Sequence, residues 1–343
     1  MEHKHKLVLI MALTTFPILA ILILVIIFLC LKNPAKDQTP ETEAASEEEE
    51  DLIKFQGGEG LTVNDILEAP GEVVAKSRYG TLYRATPLRT NSAALLRFLR
   101  PACAGKMKEL MPLILLLGSV RHPNLVPLFA FYAGPRGEKL MVHPFYSHAT
   151  LAQFLREGNG NSQKWSIMHK ISIGIARGLA HLHSGLQHPI IHGNLKSNNI
   201  LLDRNYDPYV SDFGLHLLLN ATAGQDMLQV SATQGYKAPE LIKMKDASEE
   251  TDVYSLGVIL LEMLSGKEPI NEKIPDHNSY LPNSTMRNWR LKHGIMDDLY
   301  HPDNFLEEKI LKSFQLAMAC CSPSPSHRPH TKQVLRKLEE IGD

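Results

Sequence analysis

The chain has 343 residues, enough for two ordinary domains or one large two-lobed domain. Its 36 basic and 37 acidic residues give a formal net charge of -1, which excludes the strongly basic surface typical of nucleic-acid-binding proteins. Its four cysteines, at positions 30, 103, 320 and 321, have no metal-ligand spacing and include an adjacent pair. We therefore expect reduced, mostly buried thiols in a cytosolic setting.

Residues 7–31 form an uncharged, predominantly apolar run. A helix of that length, rising about 1.5 Å per residue, exceeds the roughly 30 Å hydrocarbon core of a bilayer, so the run predicts one transmembrane helix. A cleaved signal peptide is the alternative, but its apolar core usually has about 7–15 residues and ends in small residues. This run ends in Phe28-Leu29-Cys30-Leu31, which favours an uncleaved anchor behind a short N-terminal segment, residues 1–6. The flanking lysines do not decide the orientation.

Residues 32–60 are polar and acidic, with the run Glu47-Glu48-Glu49-Glu50-Asp51, and this composition predicts a disordered juxtamembrane linker. Hydrophobic periodicity is then sustained over residues 61–343. Apolar and β-branched alternation predicts strands over 72–85 and 93–99, and helical spacing predicts helices over 110–117, 166–184 and 251–265. Strands followed by helices indicate an α+β fold, with a small β-rich lobe at about 66–145 and a larger helical lobe at about 146–341.

The most informative motif is His192-Gly193-Asn194, followed by Lys196 and Asn199. It has the layout H-R-D-L-x-x-x-N of a protein-kinase catalytic loop, and Asp212-Phe213-Gly214 follows at the spacing of the magnesium-binding D-F-G motif. Further segments agree in order and spacing: 120–126, 178–183, 235–240, 251–258 and 326–329. Over residues 65–341 the chain resembles protein kinases, above all plant receptor-like kinases of the leucine-rich-repeat class. Only residues 1–6 precede the apolar run, so we expect this chain to lack the extracellular repeats of that class.

This resemblance implies a two-lobed kinase fold that uses ATP and Mg²⁺, yet the catalytic loop departs from the pattern. Asn194 stands at the position of the catalytic aspartate, and an amide cannot accept the substrate proton, whose removal is worth about 10²–10⁴-fold in rate. Lys196 is retained, and so are the metal-ligand positions Asn199 and Asp212. In an inactive site these two residues would simply complete local hydrogen bonds, an alternative that the sequence leaves open.

The glycine-rich loop of the family is also altered. Aligning Gly80 with its third glycine places Ala75 and Ser77 at the first two. Glycines at these positions let backbone N–H groups approach phosphates closely, and a Cβ atom occupies that space. The resemblance therefore implies a hairpin that is a poor phosphate cradle.

Other positions of the nucleotide site have also lost the residues that bind ATP in the family. Arg97 stands at the strand lysine of the family, and arginine and lysine are not interchangeable in a tight site. Leu113 falls at the partner glutamate, and Leu95 falls at the alanine that lies against the adenine ring. At the hinge, the Pro144 carbonyl and the Tyr146 N–H remain as groups for an adenine edge. ATP and Mg²⁺ binding is therefore expected to be weak.

The positions that hold the fold together are intact by comparison. Glu240 and Arg328 match a buried ion pair of the family, and Asp252 matches the aspartate that hydrogen-bonds to the catalytic-loop backbone. His192, Phe213, Leu117 and Leu201 match its hydrophobic spine positions.

These departures predict a membrane-anchored receptor-like pseudokinase that acts as a signalling scaffold or allosteric partner. The alternative is a weak or atypical Ser/Thr kinase that uses Asp212, Asn199 and Arg97 without a proper base. We expect a single-pass protein, its kinase-like domain in the cytosol, at the plasma membrane. The expected partners are the membrane and other receptor-like kinases or signalling proteins, and no nucleic acid.

Overall fold

The computed structural model describes residues 52–86, 93–146, 149–157, 165–233, 235–242, 247–266, 268–269 and 304–342. The predicted transmembrane run at 7–31 and the acidic run at 47–51 lie outside these residues. Within the described ranges, no helix combines the length and apolar character needed to cross a bilayer.

The N-terminal lobe is built on one antiparallel sheet of six strands. These are β1 (Leu52–Lys54), β2 (Gly71–Lys76), β3 (Gly80–Ala85), β4 (Ala94–Leu99), β5 (Ala130–Ala133) and β6 (Lys139–Pro144), in the spatial order β1-β5-β6-β4-β3-β2. Two helices belong to this lobe, α1 (Val63–Leu67) and α2 (Met107–Ser119). Alternation along β6 gives the sheet two apolar faces, since Leu140 and Val142 join a small cluster while Met141 joins the main core beneath α2.

The larger lobe is helical. It contains α3 (Leu151–Glu157), α4 (Trp165–Ser184), α5 (Ala221–Thr233), α6 (Glu249–Ser265), α7 (Asn304–Cys320) and α8 (Thr331–Gly342), with a hairpin of β7 (Ile200–Leu202) and β8 (Pro208–Val210). Helix α6 begins at a capping box, in which the Ser248 and Thr251 side chains each accept a backbone N–H of the other residue. From Thr251 to Leu264 every residue of α6 is buried, so this helix is the centre of the lobe. Helix α4 packs against α8 and β8, and α7 packs against α6.

The predicted elements are present, with differences at their ends. The predicted strand region at 72–85 is a hairpin of β2 and β3, because Ser77 turns the chain back through hydrogen bonds with Gly80. The helices predicted at 110–117, 166–184 and 251–265 each begin one to three residues earlier. The α+β arrangement in two lobes is as predicted.

The described residues include a strand at Leu52–Lys54, inside the segment 32–60 that the sequence predicted as a linker. Leu52 pairs with Tyr132 of β5, and the Phe55 ring lies on α2 so closely that a Cβ atom at Gly118 would come within 2.1 Å of it. Three apolar side chains in Leu52-Ile53-Lys54-Phe55 are therefore enough to add an edge strand, although the acidic residues before them dominate the local composition.

Burial determines the protonation state of the two adjacent cysteine thiols. Cys103, Cys320 and Cys321 are free. Burial raises the pKa of Cys320 to about 12 and raises the pKa of its neighbour Cys321 as well. Both thiols therefore stay protonated and pack as small apolar groups.

A buried ion pair between Arg328 and Glu240 connects two distant parts of the helical lobe. The guanidinium donates to both carboxylate oxygens, at 2.5 and 2.8 Å, and also to the carbonyl oxygens of Ser322 and Glu250. The Arg328 side chain is fully buried and the Glu240 side chain is 14% exposed. This bidentate pair fixes the end of the segment that follows the D-F-G motif to the loop before α8.

Arg328→Ala is expected to destabilise the domain by about 3–5 kcal/mol, because it leaves the Glu240 carboxylate buried without its partner. Arg336→Ala is a matched control on α8, since Arg336 is paired with Glu340 but 71% exposed, and its loss should cost at most about 1 kcal/mol. Urea unfolding followed by circular dichroism measures both. If the two variants were equally stable, the Arg328–Glu240 pair would not be an important source of stability for the domain.

Candidate functional site

The catalytic-loop motif lies between α4 and β7 and is held from below by Asp252 of α6. The carboxylate accepts hydrogen bonds from the His192 N–H at 2.7 Å, the Gly193 N–H at 2.9 Å and His183 Nε2 at 2.9 Å. Burial alone would raise the pKa of Asp252, but the hydrogen bonds and the nearby imidazoles lower it below its ordinary value. Asp252 is therefore a charged anchor for the loop backbone.

Asn194 lies in this loop with 2% of its surface exposed. Neither polar atom of its side-chain amide has a hydrogen-bond partner in the part of the chain that the structure describes. A buried polar group left unpaired costs about 1–3 kcal/mol. Asn199 donates from Nδ2 to the Asn194 backbone carbonyl at 2.9 Å, so one retained metal-ligand position also braces the loop.

The centre of the site is an ion pair between Arg97 and Asp212. Arg97 projects from β4, and its Nη2 lies 2.5 Å from Asp212 Oδ1, with the two side chains only 10% and 14% exposed. Asp212 has φ +64°, a left-handed conformation that aspartate tolerates better than most residues. Helix α2 places Leu113 against the main core in place of a carboxylate, so the guanidinium pairs with the D-F-G aspartate. The charge that would attract Mg²⁺ is thereby neutralised by the protein itself.

The hairpin that corresponds to the glycine-rich loop is closed by its own hydrogen bonds. The Ser77 N–H donates to the Gly80 carbonyl at 2.8 Å, and the Gly80 N–H donates to Ser77 Oγ at 3.1 Å. Gly80 is required by packing, because a Cβ atom there would lie 2.4 Å from the Phe98 carbonyl oxygen. Ala75 remains in β2, paired with Leu82. The Ser77 and Gly80 amides are thus used inside the hairpin.

Tyr79, at the tip of this hairpin, folds into the site, which the sequence analysis did not anticipate. Its ring packs on the main core. Burial raises the pKa of the Tyr79 phenol, the Asp212 charge raises it further, and Arg97 opposes the shift, which places the phenol beside the ion pair. The only signal in the sequence is an aromatic residue between Ser77 and Gly80. The Tyr79 phenol lies next to the Arg97–Asp212 pair.

Behind the ion pair is a small cavity of about 20 Å³. Its polar lining comes from Arg97, Asp212 and His143, and its volume suits one water molecule. Burial lowers the pKa of His143 to about 4, so the ring is neutral and its Nδ1, 2.9 Å from the Pro127 carbonyl oxygen, is the donor. His143 is a second site residue that the sequence analysis did not identify.

The adenine-side residues lie along β4 and β6. Leu95 is half-buried and pairs with His143, and Pro144 pairs with Ala94. The Tyr146 ring packs on the Tyr209 ring at a centroid distance of 4.4 Å.

Lys196 reaches the same site from the catalytic loop. Burial lowers its pKa, Asp212 opposes that shift, and Arg97 adds to it. The structure therefore brings Arg97, Lys196 and Asp212 together, with Asn194 and Asn199 in the loop beside them.

The loop geometry also explains Gly193. It has φ +74°, and a Cβ atom there would lie 2.4 Å from Nδ1 of His216. The His216 ring thus fills the space that an arginine would use in the usual motif, a third contribution that the sequence analysis did not foresee.

Comparison with known proteins agrees with this geometry. A protein-family model described as the protein kinase domain matches residues 72–338. The kinase-like protein TMKL1 of Arabidopsis thaliana is 38% identical over 296 residues, which cover 84% of this chain and 44% of that protein. A protein of the same plant named a probable leucine-rich repeat receptor-like protein kinase, IMK3, is 40% identical over 305 residues, with coverages of 88% and 38%. Another, named a probable inactive receptor kinase, is 33% identical, with coverages of 85% and 46%. The chain spans less than half of each relative.

Two solved structures are similar. The kinase domain of maize sucrose-induced receptor kinase 1, bound to AMP-PNP, has a TM-score of 0.70 and 30% identity, covering 85% of this chain and 100% of that chain. The pseudokinase domain of BIR2, described as an immune regulator, has a TM-score of 0.67 and 29% identity, with coverages of 85% and 90%. The similarity extends over both lobes.

Arg97→Met is expected to create a response to Mg²⁺ that the wild-type protein lacks. The substitution leaves the buried Asp212 carboxylate unpaired, which should cost about 3–5 kcal/mol. An excess of Mg²⁺ should then recover part of the melting temperature by binding Asp212 and Asn199, because a ligand of the folded state stabilises it. Differential scanning fluorimetry measures the shift.

The control is the double variant Arg97→Met/Asp212→Asn, in which the recovery by Mg²⁺ should disappear. A Mg²⁺ shift of the same size in the wild-type protein would show that Asp212 is available to metal, and the assignment of Arg97 as its counter-ion would be wrong.

Proposed function

The chain belongs to the protein kinase family, with relatives among the plant receptor-like kinases, and from this we propose that it is a pseudokinase that works by binding partners. Its role is that of a signalling scaffold or allosteric partner of receptor-like kinases, with little or no phosphoryl transfer. One observation carries the proposal: Arg97, at the position of the strand lysine, forms a buried ion pair with Asp212, at the position of the metal-binding aspartate.

Phosphoryl transfer depends almost entirely on positioning and on electrostatic stabilisation of the transferring phosphate. Each contribution is reduced in this site. Asp212 is neutralised by Arg97, the Ser77 amide is used within its hairpin, and Asn194 cannot act as a base. Binding of Mg²⁺ to Asp212 would have to break the ion pair with Arg97, so ATP and Mg²⁺ are expected to bind weakly.

The contacts that maintain the kinase shape support a binding role. Asp252 accepts two hydrogen bonds from the catalytic-loop backbone and one from His183 of α4, and Arg328 holds Glu240. Relatives named as inactive receptor kinases and the pseudokinase domain of BIR2 are similar in the same region. Because these contacts preserve the kinase fold, the domain can bind a partner through its outer surface without binding a nucleotide in its cleft.

The second candidate is a weak or atypical Ser/Thr kinase. It is supported by the retained Lys196, Asn199 and Asp212 and by the similarity to a kinase domain bound to AMP-PNP. For this function Arg97 would have to leave Asp212 and pair with a phosphate, and another group would have to replace Asn194 as the base.

For the rest of the chain we propose residues 1–6 as a short N-terminal segment, 7–31 as a single transmembrane helix and the acidic stretch up to residue 51 as a juxtamembrane linker. The kinase-like domain then lies in the cytosol, at the plasma membrane. The apolar run at 7–31 and the similarity to receptor-like kinases support this arrangement.

The purified protein is expected to transfer no detectable phosphate to itself or to a generic substrate protein, in an assay with radiolabelled ATP and Mg²⁺. Asn194→Asp should remain inactive, because Arg97 still occupies Asp212 and Leu113 still stands at the glutamate position. Stoichiometric autophosphorylation that is lost in Asp212→Ala would establish the kinase alternative instead.

The orientation in the membrane is expected to leave Asn220 and Asn283 without glycan, although Asn220-Ala221-Thr222 and Asn283-Ser284-Thr285 are acceptor sequences. Asn283 lies outside the described residues, whereas the Asn220 side chain is engaged on both sides: Nδ2 donates to the Ala102 carbonyl at 2.8 Å and Oδ1 accepts the Ala223 N–H at 2.9 Å. Endoglycosidase treatment of the membrane-expressed protein tests this. A mobility shift abolished by Asn220→Gln or Asn283→Gln would place the domain on the lumenal side.

A further inference from the structure

The segment after the D-F-G motif is joined directly to the N-terminal lobe. Ala104 and Leu219 form an antiparallel bridge. The Gly105 N–H donates to the Leu218 carbonyl at 3.0 Å, and the Asn220 N–H donates to the Cys103 carbonyl at 2.8 Å. We call these two stretches, Ala102–Gly105 and Leu218–Asn220, the clasp. It links the loop before α2 to the helical lobe.

Asn220 contributes to the clasp in two ways through one side chain. Its Nδ2 donates to the Ala102 carbonyl at 2.8 Å, which adds a third hydrogen bond to the clasp. Its Oδ1 accepts the Ala223 N–H at 2.9 Å, which caps the first turn of α5. The same residue therefore joins the lobes and starts the helix that follows.

Both sides of the clasp are anchored in the core. Leu218 and Leu219 of one stretch, and Ala223 and Met227 of the adjoining helix α5, are buried members of the main core. On the other stretch, Cys103 and Ala104 pack against that core. The His216 ring, over Gly193, packs the start of this segment onto the catalytic loop. Burial lowers the pKa of His216, so the contact is made by a neutral ring.

A phosphate has no evident part in this arrangement. A phosphorylated loop is ordered by new pairs with arginine, but position 193 is a glycine with φ +74°, and the space beside it is filled by His216. The ordering contacts are backbone hydrogen bonds, one asparagine and apolar burial.

We propose that the clasp holds the two lobes together and orders the segment from Asp212 to Thr233 without phosphorylation, nucleotide or metal. In this proposal the Asn220 side chain is the residue on which the clasp most depends. The clasp is a closing device built into the fold. It holds β4, with Arg97, near Asp212, and so maintains the ion pair in the cleft.

Hydrogen exchange of the full chain, measured by mass spectrometry without ligand and after phosphatase treatment, tests the clasp. The Gly105 and Asn220 amides should be protected in the wild-type protein. Asn220→Asp keeps an acceptor for the Ala223 N–H but removes the donor to Ala102, so peptides covering 102–106 should exchange about tenfold faster while the first turn of α5 stays protected. Asn220→Ala should loosen both regions.

Asn64→Asp is the matched control, because it makes the same change of charge in the first turn of α1, far from the clasp in the sequence. It should leave exchange in 102–106 unchanged. Unprotected Gly105 and Asn220 amides in the wild-type protein, or identical exchange in Asn220→Asp, would refute the clasp. The readout is independent of phosphoryl transfer, so an active enzyme could still have a clasp and an inactive protein could lack one.

A crosslink provides a second measurement if Asn220 variants fold poorly. Ala104 and Leu219 have the hydrogen-bond pattern of a non-hydrogen-bonded antiparallel pair, whose Cα atoms lie about 4.5 Å apart. This distance suits a disulfide. In a Cys103→Ser background, Ala104→Cys/Leu219→Cys should oxidise within one molecule without ligand and raise the melting temperature, whereas each single variant should not. Failure to form the bond under oxidising conditions would show that the two stretches do not stay paired.

Discussion

The cleft of this protein is organised by the ion pair between Arg97 and Asp212. It crosses from β4 of the N-terminal lobe to the D-F-G motif of the helical lobe, with both side chains at least 86% buried. A buried charge is tolerated only when it is paired and hydrogen-bonded, so each member makes the other necessary. Burial in the same cleft lowers the pKa of His143 and of Lys196 and raises the pKa of Tyr79, and the charges of Arg97 and Asp212 modify these shifts.

The residues of the site differ in how much they contribute to the stability of the fold. Asp252 accepts two backbone N–H groups of the catalytic loop, and Arg328 donates to two backbone carbonyls. Removing either side chain would leave those groups unpaired. Asn194 makes no such contact through its side chain in the described part of the chain. An amide there changes the chemistry of the loop while the loop backbone stays in place, because Asp252 and Asn199 hold it. The kinase shape and the kinase chemistry therefore rest on separate residues.

The sequence predicted the two lobes and the order of their elements because apolar periodicity and motif spacing are local properties. It also predicted that Arg97 and Leu113 would not form the usual pair. It did not predict where Arg97 would bond, since its partner Asp212 is 115 residues away along the chain. Tyr79, His143 and His216 were not identified for the same reason: each acquires its place only when a hairpin, a strand and a loop meet in three dimensions. The edge strand at Leu52 was not predicted, because the acidic residues before it dominate the local composition.

A cleft filled by its own side chains changes what can regulate the protein. A ligand shifts a conformational equilibrium only by the difference in its affinity for the two states. To move a closed form from about 99% to about 1% of the population, a nucleotide would need about 10⁴-fold tighter binding to the open form. The open form has lost the Arg97–Asp212 ion pair. It also binds phosphate weakly, because an alanine and a serine stand in place of the first two glycines of the loop. If the domain works as proposed, by binding partners, a partner on its outer surface need not open the cleft.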